Sequence, residues 1–282
     1  MHRHIAALLL ACQGITYSQE SSSSIQYEYS MIYNMDATSL NKHFAAFGLE
    51  QGQFTYGASF KKFEIDYGKD NNGAYFNELQ SIHSVKFAMG YTHEFNKNWD
   101  LLATFEPELN SSFKNTITFD DIYPTFSLAV KRKTEEDYPS YTILGVSFSS
   151  LFGKPRWLPV VSYQKFISKS ASFTIGLPET NFQYALSPKN SIKSSLFVDS
   201  FYSKIRSDKQ DNIPNINAIE MTSYNAGLEY NYVSDNNWMA TLRSGYVFAN
   251  QLDLFQENRP KIGIDFKNTI YITMGFKYNL NL

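Results

Sequence analysis

The final segment of the chain alternates between apolar residues and polar or small residues with a period of two. The polar or small parity includes Thr273 and Lys277, and the apolar parity is occupied by Ile270, Ile272, Met274, Phe276, Tyr278, Leu280 and Leu282. A strand on a soluble core can alternate in the same way, but here the large apolar side chains continue to the last residue of the sequence. A strand of a transmembrane β-barrel explains this pattern better, because one of its faces meets lipid and the other meets the lumen.

The first 18 residues have the layout of a secretory signal peptide. A basic stretch (residues 2–4) precedes a short apolar run (5–11), and small residues stand just before Gln19. The apolar run is far shorter than the roughly 20 residues that a membrane-spanning helix needs. We therefore expect export across an inner membrane and exclude residues 1–18 from the fold. Lipidation of Cys12, the only cysteine, is the alternative, since the residues before it resemble a lipoprotein processing site.

Composition agrees with a single barrel domain made from residues 19–282. The chain is 16% aromatic, with 23 Phe and 20 Tyr, and its mean hydropathy is −0.35. Both values fit a barrel, because half of every strand is polar and aromatic side chains gather at the two membrane interfaces. No stretch approaches the 18 consecutive apolar residues that would indicate a helical span. The net charge of −2 gives no reason to expect nucleic-acid binding.

Two hairpins show the alternation most clearly. In each, two alternating segments of about ten residues flank a short polar turn, at 96–98 in the first hairpin and at 234–237 in the second. Trp99 and Trp238 each follow the turn directly, where an aromatic girdle at a membrane interface would place them. A soluble sandwich whose strands begin with Trp is the alternative. We interpret each hairpin as two membrane crossings.

Strand spacing and turn lengths predict an up-and-down barrel. The alternation indicates about 14 strands, or about 12 if the segments around Pro178 form a bent excursion instead of two crossings. Counting back from a periplasmic C-terminus places the short turns in the periplasm and the longer connections outside, the usual asymmetry of such barrels. The segment 133–139 is long for its periplasmic position. The short turns are expected at 96–98, 168–170, 188–190 and 234–237, and the longer connections at 67–79, 110–122, 206–217 and 251–263.

Charged residues on the polar parity are the candidates for the lumen wall. They carry both signs, whereas a ring of one sign would predict ion selectivity. A mixed set suits either a wet, weakly selective pore or an interior closed by ion pairs. Apolar residues on both parities of 140–149 and 191–205 would favour an apolar channel if they line a cavity, and a packed interior if they do not. The ten candidates are Glu28, Lys61, Lys86, Glu94, Asp100, Glu106, Lys131, Glu229, Arg243 and Lys277.

A family resemblance rests on three features: Gly-Lys-Pro-Arg-Trp-Leu-Pro at 153–159, Gly-Leu-Pro at 176–178 and the aromatic final strand. With the signal peptide and the uniform hairpins, the chain resembles a family of Gram-negative outer-membrane β-barrels classed as a domain of unknown function. The resemblance implies a fold and a location but no activity. The final strand also resembles the recognition signal read by the barrel assembly machinery, although an aromatic is commoner at the last position. Its residues are Phe276, Tyr278, Leu280 and Leu282.

Catalytic and metal chemistry find no support in the sequence. A lipid-cleaving barrel needs a serine and a histidine on its lipid-facing side near the outer leaflet. His93 lies close to a turn expected in the periplasm, and His43 and His83 show no serine and acidic partners at strand spacing. Residues 70–73 have the oxygen donors and the glycine of a calcium loop, but no distal glutamate. We therefore predict no enzyme activity, no cofactor and no metal.

The leading functional expectation is an outer-membrane barrel that acts as a passive channel or transporter for small solutes. The alternative is a non-transporting barrel that has a structural or surface-binding role through its extracellular loops. In both cases the expected partners are outer-membrane lipid and the barrel assembly machinery. A small solute is a further partner in the first case only.

Overall fold

A computed structural model describes residues 23–33, 39–66, 80–113, 117–134, 137–204, 217–256, 259–266 and 268–280. Within these residues it contains 15 β-strands and a short 3₁₀ helix at Phe119–Asp121. No helix in the described part of the chain is long and apolar enough to cross a membrane. The strands are β1 (Ser24–Tyr33), β2 (Ser39–Gln51), β3 (Phe54–Asp66), β4 (Ser81–Asn96), β5 (Trp99–Ser111), β6 (Ile122–Thr134), β7 (Ser140–Ser149), β8 (Arg156–Phe166), β9 (Ala171–Gly176), β10 (Glu179–Ser187), β11 (Asn190–Lys204), β12 (Ala218–Val233), β13 (Trp238–Gln256), β14 (Arg259–Phe266) and β15 (Thr269–Asn279).

All the strands except β14 close into one antiparallel barrel of 14 strands. Strands that follow one another in the chain are neighbours from β1 to β13, and β15 closes the ring by pairing with β13 and with β1. β14 pairs with β13 and lies outside the ring. The prediction of an all-β, up-and-down barrel is confirmed. The segments on either side of Pro178 are two crossings, β9 and β10, which gives the larger of the two strand counts.

The apolar parity of the strands faces outwards. On β15, Met274 is 53% exposed, whereas the adjacent Thr273 is 2% exposed and its Oγ1 lies 2.8 Å from Ser30 Oγ on β1. Large exposed apolar side chains continue around the ring, for example at Phe87 and Leu144. An apolar surface of this extent is a liability in water and is the expected outer surface of a barrel in lipid.

The two ends of the barrel differ in the length of their connections. Turns of two to five residues join the strands at one end, which we call the short-turn end: 52–53, 97–98, 135–139, 167–170, 188–189 and 234–237. At the other end, the long-loop end, four connections are longer, at 67–80, 112–121, 150–155 and 205–217, and two are as short as the turns, at 34–38 and 177–178. Gly52 has a φ of 63°, which a tight hairpin turn requires and which glycine adopts without steric cost. The prediction of a long connection at 251–263 is wrong, because β13 continues to Gln256 and β14 begins at Arg259.

Candidate functional site: the barrel interior

The ten charged candidates lie on the inward parity of their strands. Five are buried, namely Glu28, Asp100, Glu106, Lys131 and Glu229. Four are partly buried, namely Lys61, Lys86, Arg243 and Lys277, and Glu94 is exposed near the short-turn end. Several of them take part in three groups of charged side chains, which differ in the strands that they connect.

The first group surrounds Glu229 on the wall formed by β10 to β13. Its carboxylate accepts hydrogen bonds from Arg243 Nε at 2.6 Å and from Asn231 Nδ2 at 2.7 Å, and Lys193 Nζ lies 3.7 Å away. Lys193 also lies 3.0 Å from a carboxylate oxygen of Glu179. Because Glu229 is 0% exposed and sits between two cations, its charge is compensated within the wall.

The second group lies on β4, β5 and β6 near the short-turn end. Lys133 Nζ is 2.8 Å from Asp100 Oδ2 and 3.9 Å from Glu94 Oε1. The ammonium group of Lys131 lies 4.6 Å from the centre of the Tyr141 ring, a distance at which cation–π attraction operates. This group connects neighbouring strands, as the first group does.

The third group joins strands that are not neighbours. Asp199 on β11 forms an ion pair with Lys42 on β2, and Lys61 Nζ on β3 lies 4.0 Å from the same carboxylate. The strands β1, β15, β13 and β12 separate β2 from β11 in the ring. On the wall beside this pair, Lys86 Nζ lies 3.4 Å from Glu106 and 3.8 Å from Glu108. The Lys42–Asp199 contact therefore crosses the interior.

Asp199 reaches the opposite wall because three strands continue beyond the rest of that wall. Beyond a common level, β11, β12 and β13 continue without β10 or β15 beside them, and β14 pairs with β13 there in place of β15. At this level a bulge inserts Phe248 opposite Tyr224 and Asn225, and bulges bend the strands that carry them. We call residues 198–204, 218–224 and 249–256 the strand extension. The level is marked by the row of cross-strand partners Glu179, Phe197, Asn225, Val247 and Thr269.

Both faces of β11 are covered within the strand extension. Leu196, just before it, is 54% exposed, whereas Val198 on the same parity is 6% exposed. Ser200 and Tyr202, further along this parity, are also buried. A ribbon that stood away from the barrel would expose one of its faces, so this one lies across the barrel mouth between two walls. The apolar residues of 198–202 belong to a packed interior and do not line an open channel, whereas Leu196 lies on the outer face.

One face of the strand extension packs on the wall formed by β1 to β4. The rings of Phe63 on β3 and Phe201 on β11 have centres 4.6 Å apart. Burying one side chain of this kind contributes roughly 1.5–3 kcal/mol, so the packing fills the mouth with a stable apolar layer. This apolar layer consists of Leu40, Phe63, Ile65 and Ile82 from the wall and Phe201, Ile219, Met221, Leu252 and Leu254 from the extension, with Ile32 packed against it.

Hydrogen bonds to β5 and to the connection between β7 and β8 also hold the strand extension. Asn110 on β5 donates from Nδ2 to the backbone oxygen of Tyr202 at 2.9 Å, and Ser203 Oγ donates to the backbone oxygen of Asn110 at 3.0 Å. Ser200 Oγ lies 2.7 and 2.8 Å from the backbone oxygens of residues 150 and 151. The strand extension is therefore fixed by apolar contacts with β1 to β4 and by polar contacts with β5 and the connection between β7 and β8.

The connection between β7 and β8 contributes to this polar contact through a glycine. Gly153 has a φ of 81°, and a Cβ at this position would collide with the side chain of Glu220 on β12. The backbone N–H of Lys154 donates to Glu220 Oε2 at 3.0 Å. The Gly-Lys pair that begins the 153–159 motif thus lets the connection approach the extension closely.

A recess lies against β1 to β4 on the short-turn side of the charged group that contains Asp199. Small inward side chains leave space here because they extend little from the wall. Lys86 is the cation of the recess, and it belongs to the same charged group. The inward lining consists of Ser24, Gln26, Ala46, Gly48, Thr55, Gly57, Ser59, Lys86, Ala88 and Gly90. The interior thus changes along the barrel axis from a recess to a charged group and then to the apolar layer.

A comparison with protein families gives one assignment. The model of a domain of unknown function, DUF6268, matches residues 50–279. The chain belongs to this family. The resemblance inferred from the sequence, to a family of outer-membrane barrels of unknown function, is confirmed. A search of curated proteins finds no match.

Solved structures similar to this DUF6268 protein are outer-membrane barrels of low sequence identity. An outer membrane channel from Pseudomonas putida F1 is 11% identical, with 95% of this chain and 99% of that one covered and a TM-score of 0.45. The KdgM porin in complex with disordered oligogalacturonate is 11% identical over 92% and 99% of the two chains, with a TM-score of 0.42. LpxR from Salmonella typhimurium is 6% identical over 92% and 100%, with a TM-score of 0.41.

The histidines of this DUF6268 protein have partners that the sequence did not reveal. His43 Nδ1 lies 3.0 Å from the hydroxyl of Tyr27, and His43 Nε2 lies 3.7 Å from Glu64. His83 Nε2 lies 3.4 Å from Ser81 Oγ. The serine contacts one histidine and the carboxylate contacts the other, so these two pairs do not form one catalytic chain. Among the described residues no group of three His, Cys, Asp or Glu side chains could hold a metal ion, and residues 70–73 lie outside them.

Sequence reasoning missed several charged residues of the interior. Lys42, Lys133 and Lys193 lie on the inward parity of strands that carry a predicted candidate or adjoin one, and stricter use of parity would have found them. Asp199 lies on the same inward parity as Lys193, but parity could not predict its contact with Lys42. Its partner on β2 is distant in the chain and in the ring.

The proposed assembly signal lies on the outer face of β15. Phe276 is exposed, and the Tyr278 ring lies 4.7 Å from the Trp238 ring of β13, centre to centre. Leu280 is partly buried, and Leu282 lies outside the described residues. Recognition of this strand by the assembly machinery stays a prediction.

Proposed function

We propose that this DUF6268 protein is an outer-membrane barrel that passes small solutes through its lumen when the strand extension leaves the mouth. The apolar outer surface supports insertion in a bilayer, and the predicted signal peptide supports export to the outer membrane. The inward polar residues and the recess support a route for solutes that begins at the short-turn end.

The proposal rests on one observation: the residues that fill the mouth belong to strands that continue from the barrel wall. The strand extension continues three wall strands, and its contacts with β1 to β5 are side-chain contacts and not a strand ladder. Together with β14, which pairs along β13 in this segment, it can therefore move as one ribbon, hinged at the bulge beside Asn225, without opening the ring of 14 strands. The described residues do not form a permanently open pore, because the apolar layer occupies the mouth.

The packing also predicts how rarely such a channel opens. Each large side chain that leaves the apolar layer loses roughly 1.5–3 kcal/mol of burial. To shift a two-state equilibrium from 1:99 to 99:1, a ligand must bind the minor state more tightly by about 5.5 kcal/mol. We therefore expect brief, infrequent openings in the unmodified protein.

Conductance in planar bilayers tests the proposal. Phe201→Ala removes one ring from the apolar layer and should raise the open fraction, while the matched variant Phe87→Ala, which removes an outward ring, should leave the open fraction unchanged. Cysteines at Asn110 and Ser203 would tie the extension to β5, and no other cysteine lies outside the predicted signal peptide. The oxidised double variant should be silent and should recover its openings on reduction.

The second candidate is a barrel that transports nothing and acts through the connections at its long-loop end. The same packing favours it, since paired charges and an apolar layer also describe a filled, static interior. Silence of the unmodified protein and of Phe201→Ala, with both shown to be folded, would decide for this candidate.

A further inference from the structure

The carboxylate of Asp199 occupies a site that is built from cations of the opposite wall. Lys42 and Lys61 stand on adjacent strands, β2 and β3, and both direct their ammonium groups to it. Aromatic rings support both lysines: Lys42 Nζ lies 5.9 Å from the centre of Phe63, and Lys61 Nζ lies 6.0 Å from the centre of Phe44. The wall thus presents two ammonium groups to one carboxylate, and that carboxylate belongs to the strand extension.

The route to this site starts in the recess. Ser59 lines the recess, and Lys61 is the next inward residue of the same strand, so one step along β3 leads from the recess lining to the site. The other face of the site carries the apolar layer, which a small charged solute cannot cross while it is packed. An anion that enters from the short-turn end therefore meets Lys61 and Lys42 before it meets the barrier.

We propose that small carboxylate solutes bind at Lys42 and Lys61 by displacing the Asp199 carboxylate, and that this exchange releases the strand extension. The proposal rests on the channel function proposed above and names its substrate class. A free carboxylate offers the lysines the same charge and the same oxygens as Asp199, so the two compete for one place. Release of Asp199 removes the ionic contact that holds the extension to β2 and β3. Binding and opening are then coupled, as in any equilibrium in which a ligand prefers one of two states.

The test measures how fast the strand extension becomes accessible. Ser203→Cys places a thiol at a buried position of the extension, and a water-soluble maleimide should react with it only when the extension moves. The protein is held in lipid vesicles, and sodium acetate is titrated against sodium chloride at constant ionic strength. The labelling rate should rise with acetate and saturate, by a factor between roughly 5 and 150, the usual range for coupling between a ligand and a conformational change.

Three variants in the Ser203→Cys background make the result specific. Lys42→Gln together with Lys61→Gln should remove the dependence on acetate, whereas Lys131→Gln, which neutralises a lumen cation elsewhere, should keep it. Asp199→Asn should label fast without acetate, because the internal competitor is gone. An acetate response that survives in the double lysine variant, or no response in folded protein with both lysines present, would overturn the proposal.

The outcomes also separate this inference from the channel function. If Asp199→Asn conducts but acetate does not change labelling of the parent Ser203→Cys protein, the channel stands and the carboxylate site is wrong. If acetate drives labelling through the two lysines while every variant is electrically silent, the site stands and the channel is wrong.

Discussion

Asp199 on β11 pairs with Lys42 on β2, although β1, β15, β13 and β12 lie between the two strands in the barrel wall. A contact between such distant strands requires that one of them leave the wall. β11 does so beyond Phe197, where its partner β10 has ended, and it carries β12 and β13 with it. The lengths of the strands thus determine which charges meet inside the barrel.

The position of the Lys42–Asp199 pair beside the apolar layer has an energetic consequence. A buried ion pair is weak evidence for stability, because the loss of hydration offsets much of the attraction between the charges. The apolar layer therefore supplies most of the closing free energy, and the ion pair supplies a contact that solutes can compete for. The two parts have separate roles in the proposed opening.

The first prediction concerns the buried group around Glu229. Glu229→Gln leaves Arg243 and Lys193 without the carboxylate between them, so it should lower the free energy of unfolding by about 3–5 kcal/mol, the usual cost of removing one partner of a buried pair. Lys189→Gln breaks an exposed pair with Asp235 at the short-turn end and should cost far less, because water and salt screen these two charges. Urea unfolding in lipid vesicles measures both values. Equal effects would mean that water reaches Glu229.

The sequence predicted much of the fold because the barrel wall obeys a simple local rule. Each wall strand alternates with a period of two, and short polar turns such as 97–98 mark the ends of hairpins. These signals come from neighbouring residues, so parity alone identified both the outer surface and the inward position of residues such as Glu229 and Arg243.

The strand extension could not be predicted in the same way. On β11 its residues are covered on both faces, so 198–203 show no alternation, and β13 continues through a segment that was expected to be a loop. Its contacts with Lys42, Phe63 and Asn110 depend on the distance across the barrel, which is a property of the closed ring. No local pattern carries that information.

The second prediction concerns location. Mature protein that begins near Gln19 should fractionate with outer membranes, and unboiled protein should migrate faster than boiled protein on a denaturing gel. The closed hydrogen-bond ladder explains the shift, since a ring of paired strands offers detergent no free edge. Recovery from the soluble periplasm without a heat-dependent shift would contradict the membrane-barrel proposal.

The third prediction concerns orientation. A protease-sensitive tag inserted at Asn72, in the connection from β3 to β4, should be cleaved on intact cells, and a tag at Asn236, in the turn before β13, should be protected. The expectation follows from the unequal connections at the two ends of the barrel. Cleavage at Asn236 with protection at Asn72 would reverse the orientation and would place the recess on the cell surface.

The fourth prediction compares the two faces of β15. Met274→Arg puts a cation on the outer face near the middle of the strand and should cost roughly 2–4 kcal/mol if lipid surrounds that face. From alternation alone, Thr273→Arg would be mild, because lumen water would solvate the new charge. The structure changes this expectation: Thr273 is buried beside Ser30, and its cross-strand partner is Arg243. A second arginine would meet both steric crowding and a like charge, so we expect the two variants to lose comparable stability.

Leucine substitutions separate the two faces where arginine does not. Met274→Leu should change the free energy of unfolding by less than about 1.5 kcal/mol, because lipid accepts either apolar shape. Thr273→Leu should lower it by roughly 1–3 kcal/mol through overpacking, and it also removes the contact with Ser30 Oγ. Urea midpoints in lipid vesicles give both values. A larger loss for Met274→Leu than for Thr273→Leu would mean that Met274 packs inside the barrel, and the assignment of outer and inner faces would have to be exchanged for the whole ring.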